Sequence, residues 1–409
     1  MSAIGGPNIV DDSLAFYYDI DNVKSYRGEP TTNIVTNPTF LGTPNTQTSA
    51  IADNWYFSGD TSATGFRFYD SATSPIPLKF PDEGAVITTG PNVTTNRRIY
   101  YNGTVEPNTT YTLSYWFYSS NYGAVSNYFF TYRADGTGTT SPSYGQGFTT
   151  GKWVFIQQSF TTPADTGNTR NVNWGPVISA GTDSLFAMQR FQIEAKSHAT
   201  PFINGTRSNT EGLRDLLGAT SINLAGAAYD SSANIAFDGT NTYIEAGYLR
   251  DIVGETPEGI SFELVIKADD LTTYSGMMGD YIGPSGTGFA IKRASLGDNR
   301  FEFRTYAANA IPRASTSITV GQYYHVVCTW KNTGVIQIFI NGTLETTDSA
   351  AGTVWNHGLG VLRIGDCYNS MGNPAEFNGE IPLVKIYSKA LNTSEVTSNF
   401  NAIKGRFNL

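Results

Sequence analysis

The run Tyr323-Tyr324-His325-Val326-Val327-Cys328-Thr329-Trp330 constrains the fold more than any other segment of the chain. Tyr324, Val326, Cys328 and Trp330 alternate with His325, Val327 and Thr329, which is the side-chain period of a β-strand. Both sets carry apolar bulk, so both faces of this strand need cover. Across Lys331-Asn332-Thr333-Gly334, a polar connection that suits a hairpin, Gln337-Ile338-Phe339-Ile340 follows, and Asn341-Gly342 is a second strong turn signal. These residues predict a sheet covered on both sides.

The composition agrees. The 24 Phe, 24 Tyr and 42 Gly among 409 residues are the make-up of strands joined by tight turns, so an all-β chain is expected. That length suits two ordinary domains or one large one with insertions, and needs no disulfide or metal staple to complete a core. A formal net charge of −9 argues against a nucleic-acid or anionic-membrane surface, since either requires clustered Lys and Arg. No run reaches membrane-spanning length, so no membrane insertion is expected. Cys328 and Cys367 imply no disulfide framework and read as small buried hydrophobes. The opening Met1-Ser2-Ala3-Ile4-Gly5-Gly6 has neither the basic nor the apolar region of a secretory signal. Asn92, Asn102, Asn108, Asn204 and Asn341, all in Asn-x-Ser/Thr context, are therefore read as turn chemistry rather than glycan acceptors.

Three patches in order carry a family resemblance. The hairpin region around Ile340-Asn341-Gly342-Thr343 set before Phe377-Asn378-Gly379-Glu380-Ile381, the upstream stretch Ile235 to Ile244 and the downstream stretch Ile386 to Glu395 resemble the laminin G / concanavalin A-like jelly roll. Near the N-terminus, Ile9 to Asp19 reads as a strand with Leu14, Phe16 and Tyr18 on one face. The next segment, Asp21 to Gly28, resembles the opening of jelly rolls in bacteriophage structural proteins, but the turn that normally follows is displaced to Arg214-Asp215-Leu216-Leu217-Gly218. The expectation is a discontinuous jelly roll, residues 1–30 plus 206–409, interrupted by a second β-sandwich over residues 31–205. At the C-terminus Asn392 and Glu395 form a capping pair, and Val396, Phe400 and Ile403 fall on one side of a short helix.

Within the insertion, Thr110 to Tyr118, Gly151 to Ile156 and Phe191 to Glu194 resemble the carbohydrate-binding-module sandwiches appended to glycan-active proteins. Its closing stretch, Glu194 to Ser208, resembles a linker recurrent in phage and prophage virion proteins. The resemblance implies a phage virion structural protein, as an appendage, tail fibre or capsid decoration, made in the host cytoplasm and located on the virion. Its implied partners are other virion proteins and host-surface polysaccharide, and the implied assembly is a homo-oligomer.

No enzymatic constellation is legible. Jelly-roll glucanases need paired acids alternating on one strand, whereas Ser261 to Asp270 carries Glu263 alone with Asp269 and Asp270 at its polar end, which reads as a solvated strand end. His198, His325 and His357 sit apart and no Gly-x-Ser-x-Gly elbow is present. The chain is therefore expected not to be an enzyme. The rival readings are a capsule- or lipopolysaccharide-degrading depolymerase, and a cellular lectin or adhesin. No cofactor is expected. Both resembled families often hold a structural calcium, for which Asp238, or Asp366 beside Asn369, offers oxygen ligands, and the sequence leaves that open.

Binding through aromatics remains. Sugars present apolar C–H faces that stack on Trp and Tyr rings while neighbouring amides and carboxylates bond the hydroxyls. Along the insertion's main strand Tyr111, Leu113, Tyr115 and Phe117 form the apolar, inward set, which places Trp116 and Tyr118 on the other face, near the run Tyr128 to Tyr132. Trp153 matches a core position of the family. Trp174, flanked by turn-type residues in Asn171-Val172-Asn173-Trp174-Gly175, is a third candidate platform.

Overall fold

The computed structural model describes residues 9–41, 50–51, 55–58, 67–90, 97–121, 124–132, 138–141, 145–147, 149–162, 164, 170–178, 184–231, 234–272, 275–281, 287–305, 311–349, 354–367 and 376–409. The described residues form an all-β fold with two short helices, the chain of one sandwich interrupting that of the other in sequence. Its two compact units are Met1–Pro30 with Ser208–Leu409, and Thr31–Arg207.

In the first unit Tyr323–Lys331 lies inside an eight-stranded sheet, between Gly259–Ala268 and Ile336–Ile340. Tyr324, Val326, Cys328 and Trp330 point into the main core shared with a six-stranded sheet, while Val327 packs on the opposite side with Leu391 and Val396. The alternation read from the sequence is thus the division between the two covered faces. The Asn341-Gly342 turn closes the next hairpin with φ of 50° and 78°, the left-handed pair that a two-residue turn of this hand requires.

The N-terminal strand Leu14–Asp19 pairs antiparallel with Asn378–Tyr387, placing Phe16 opposite Ile386 and Tyr18 opposite Val384. Phe16 and Tyr18 are fully buried in the main core, each contributing roughly 1.5–3 kcal/mol by leaving water. Leu14 does not share their face. A register shift between Leu14 and Phe16 turns Leu14 toward the cluster of Val327, Phe339 and Tyr387 instead, as an extra residue in one strand reverses the side-chain alternation.

The C-terminal helix Thr393–Phe407 starts at Asn392, whose side chain accepts from the Ser394 and Glu395 N–H groups while Glu395 reaches back to the Asn392 N–H. That reciprocal box satisfies donors a helix start would leave orphaned. Val396, Asn399, Ile403 and Phe407 are its buried residues. Phe400 is only half-buried, its ring 5.8 Å from that of His325.

The second unit stacks a seven-stranded sheet on a five-stranded one. The five-stranded order is Trp153–Thr161, Thr110–Ser119, Ser184–Glu194, Ala85–Gly90, Arg67–Tyr69, all antiparallel. Tyr111, Leu113, Tyr115 and Phe117 face the core, where Trp55 and Phe191 meet at 4.8 Å between ring centroids. The short pairing of Thr31–Thr32 with Thr206–Arg207 joins the two ends of this unit.

Candidate functional site

The outer face of the five-stranded sheet is built by register. Trp153 stands opposite Tyr118 and Phe155 opposite Trp116 on the two adjacent strands, so four aromatic rings form a two-by-two patch. Ring centroids lie 5.8 Å apart for Tyr118 and Trp153 and 5.5 Å apart for Trp116 and Phe155. Trp153–Thr161 is an edge strand, and its outward residues beyond the rings, Gln157, Ser159 and Thr161, are exposed.

Two segments frame the patch. The first, residues 76–84, lies over the sheet on its central side. Gln189, fully buried and opposite Trp116, holds it: its Oε1 accepts from the N–H groups of Lys79 and Phe80, and its Nε2 donates to the carbonyls of Phe80 and Gly84. All four hydrogen-bonding valences of that amide are used, which a buried glutamine needs. The second frame is the segment after Glu194, anchored by Thr112 and Ser159 hydroxyls donating to the carbonyls of Lys196 and Ser197. Trp116, Tyr118 and Trp153 are half-buried between the frames, and Phe155 is 42% exposed. Trp153 donates Nε1–H to the Pro77 carbonyl at 2.9 Å. Lys79 Nζ sits 4.3 Å from the Trp116 ring centroid, an attraction of about 0.5–1 kcal/mol at an exposed site.

The candidate residues therefore separate. Trp116 and Tyr118 are brought together on the outer face. Trp174 is not: it is fully buried in the core, 5.5 Å from Tyr111 and 5.7 Å from Phe160 between ring centroids. Its neighbours misled. Asn171, Asn173 and Gly175 belong to one continuous strand, Arg170–Ile178, and Gly175 is there because a Cβ would lie 1.9 Å from the Ile99 carbonyl oxygen of the adjoining strand. Trp153, read as a core residue, belongs instead to the outer patch. The Tyr128 to Tyr132 run lies in Ala124–Tyr132 of the other sheet, not beside Trp116, and its side chains are outside the described residues. Phe155 was missed, although its two-residue offset from Trp153 on an alternating strand marks it as sharing that face.

In the first unit Glu263 is not a solvated strand-end residue. It is completely buried beneath the C-terminal helix. Its Oε1 lies 2.7 Å from Lys385 Nζ and 3.2 Å from His325 Nε2, and its Oε2 accepts from Asn399 Nδ2 at 2.6 Å. Burial alone would raise the Glu263 carboxyl, but the Lys385 charge and the adjoining His325 imidazole outweigh it and hold it down to about 2. Such a group is ionised, saturated and out of reach of a substrate.

The calcium candidates have other occupations. Asp238 Oδ1 accepts from the Thr240 N–H and the Thr242 hydroxyl, closing a local turn. Asp366 pairs with Arg363 at 3.0 Å, and Asn369 lies outside the described residues. Among the described residues no group of three or more His, Cys, Asp or Glu is placed to hold a metal. No helix of the described residues is long and apolar enough to cross a membrane.

Comparison with known proteins fits this architecture. Residues 237–397 match the laminin G-type model of the concanavalin A-like lectin/glucanases superfamily, a match that takes in less than half the chain. Among solved structures, the botulinum neurotoxin serotype G binding domain is similar at 15% identity and TM-score 0.37, over 46% of this chain and 48% of that one. Domain 4 of an extracellular arabinanase from Geobacillus stearothermophilus, solved with arabinotriose, is similar at 17% identity and TM-score 0.37, over 47% of this chain and 92% of that one. A pentraxin from Limulus polyphemus gives 18% identity and TM-score 0.29, over 35% of this chain and 70% of that one. The chain thus spans about half the length of the neurotoxin chain it matches. No curated protein sequence matches it.

Proposed function

We propose that this chain is a non-catalytic carbohydrate-binding protein that holds polysaccharide against the aromatic patch of its inserted sandwich. The observation that carries this reading is the register of Trp116 with Phe155 and Tyr118 with Trp153 on one face, rimmed by exposed Gln157 and Ser159. Flat rings supply stacking surface, and the adjacent amide and hydroxyls supply partners for sugar hydroxyls. Lys79 lies over the Trp116 ring. Its hold is weaker than the ~1–3 kcal/mol that ring stacking contributes per platform in nucleic-acid binding, so a sugar displaces it. The likeness of residues 110–118, 151–156 and 191–194 to carbohydrate-binding modules supports the same reading.

The wider setting we propose is a phage virion. There the protein serves as an appendage, fibre or surface decoration, oligomeric and bound to other virion proteins, and the polysaccharide belongs to the host surface. The virion-type linker sequence closing the insertion supports this. No cofactor is invoked.

The test is binding of host capsule or lipopolysaccharide by affinity electrophoresis. Phe155→Ala is expected to weaken retardation by roughly 5- to 150-fold, the equivalent of one lost platform, with the melting temperature unchanged because the ring is already exposed. Unchanged retardation in both Phe155→Ala and Trp116→Ala would remove the platform reading. Reduced incorporation into particles with unchanged sugar binding would instead make the patch a contact with a neighbouring virion protein. In the same assays no new reducing ends are expected, and their release by the pure chain would restore the depolymerase reading.

A further inference from the structure

A cavity of about 250 Å³ opens at the opposite edge of the same sheet, beside Arg67–Tyr69. Phe40, Leu41, Phe68 and Tyr69 supply its apolar lining, and Asp70, Asp82 and Glu83 supply its carboxylates. We propose that it is a second carbohydrate site, one that takes a single neutral hexopyranose ring end-on.

The walls are held rigidly. Phe40 adopts φ of 53° and Arg190 φ of 51°, left-handed conformations that non-glycine residues adopt only when their surroundings impose them. Around Phe40 the imposition is visible: Asn37 clasps the loop by exchanging hydrogen bonds with Leu41, its Nδ2 donating to the Leu41 carbonyl and its Oδ1 accepting from the Leu41 N–H, both at 2.8 Å. Gly84 closes against this loop, where a Cβ would lie 2.1 Å from the Phe40 carbonyl oxygen. On the other side the Arg190 guanidinium grips Glu83 with both Nε and Nη2 and lies 3.4 Å from the Phe80 ring centroid. Two strained residues on different elements therefore brace one cavity, the arrangement expected where a binding geometry is set before the ligand arrives.

The chemistry selects the ligand. Benzene fits a cavity of ~150 Å³ and a pyranose has roughly twice its heavy atoms, so this open space of about 250 Å³ receives most of one sugar ring end-on and not a chain. Glu83 is neutralised by Arg190. Asp70 receives three hydrogen bonds, from the Ala72 and Thr73 N–H groups and the Thr73 hydroxyl, all on Oδ1, which leaves Oδ2 to accept from a sugar hydroxyl. Those bonds, led by the Thr73 hydroxyl, hold the Asp70 carboxyl below its ordinary range, so it stays a pure acceptor at neutral pH. The Asp70 carboxylate, held in its charged form, repels anionic sugars. The three carboxylates are not grouped as a metal set. This site does not depend on the aromatic patch, which lies at the other edge strand.

Saturation-transfer NMR on the full chain, with the methyl glycosides of glucose, galactose, mannose and N-acetylglucosamine as probes, tests the proposal. At least one is expected to show transfer to its ring protons. Leu41→Trp, which fills the cavity from an exposed position, and Asp70→Asn, which keeps the turn-bonded oxygen but replaces the accepting one by an amide, should each weaken that binding at least tenfold, with Phe155→Ala leaving it unchanged and all melting temperatures preserved. Absence of transfer from every glycoside, or transfer that survives both cavity variants, overturns the proposal. Binding of Nα-acetyl-lysine methylamide in place of the sugars would also overturn it, by making the cavity a pocket for a cationic protein side chain.

Discussion

Replacing Lys385 by methionine is expected to lower the stability of the jelly-roll unit by about 3–5 kcal/mol, because it strands the Glu263 carboxylate without its cation in a fully buried position. Methionine keeps the volume and flexibility of the lysine stem, so the loss reports the charge rather than a void. Adding Glu263→Gln should recover much of that loss, since a buried charge pair is worth far less than the penalty for breaking it on one side. Denaturant titration of the three proteins decides this, and a single-variant loss below about 1 kcal/mol would mean that water or local rearrangement relieves the stranded charge.

The same network sets an acid limit. The Glu263 carboxyl is held at about 2, against an ordinary value of 4.5. A depressed folded-state value contributes stability that is complete above the unfolded value and is lost as pH falls toward the folded one. Stability should therefore decline between about pH 4.5 and 2 as Glu263 takes up a proton on unfolding. In Glu263→Gln that part of the decline should disappear. The consequence is local as well as global, because Asn399 of the C-terminal helix donates to Glu263 and its Oδ1 accepts from the Val10 N–H. One buried carboxylate thus ties both chain ends to the sheet.

Trp174→Ala should be comparably severe for the inserted sandwich, at ~3–5 kcal/mol, since a fully buried indole leaves both lost contacts and a cavity. For a domain of this size the loss corresponds to a fall of roughly 6–20 °C in its melting transition. Calorimetry of the full chain measures it, with polysaccharide affinity unchanged at temperatures where the variant remains folded. A variant that loses affinity while keeping its melting transition would return Trp174 to the ligand-contacting set, against its position between Tyr111 and Phe160.

The contrast between Trp116 and Trp174 shows how far local pattern carries. Trp116 lies in a strand whose inward set is unambiguous, so period-two alternation places it outside without knowledge of any neighbour. Trp174 lies among Asn and Gly, residue types that mark turns in most chains, and only the approach of the neighbouring strand explains why Gly175 belongs in a strand interior. Glu263 is a similar case. Its strand was legible, but the cover supplied by the C-terminal helix, which brings Asn399 to it from 136 positions away, was not.

By itself the sequence determined the strand periods, the turn chemistry at Asn341-Gly342, the helix cap at Asn392 and the all-β class, because each rests on residues near one another in the chain. It also determined which side of Thr110–Ser119 faces the core. Only the tertiary structure decided which rings share a surface, which carboxylate is buried, and where a cavity opens. Those outcomes depend on register between strands and on segments laid across a sheet, as when Gln189 fixes residues 79–84 over the outer face. Free energy at such places comes from long-range pairs whose partners no local window contains.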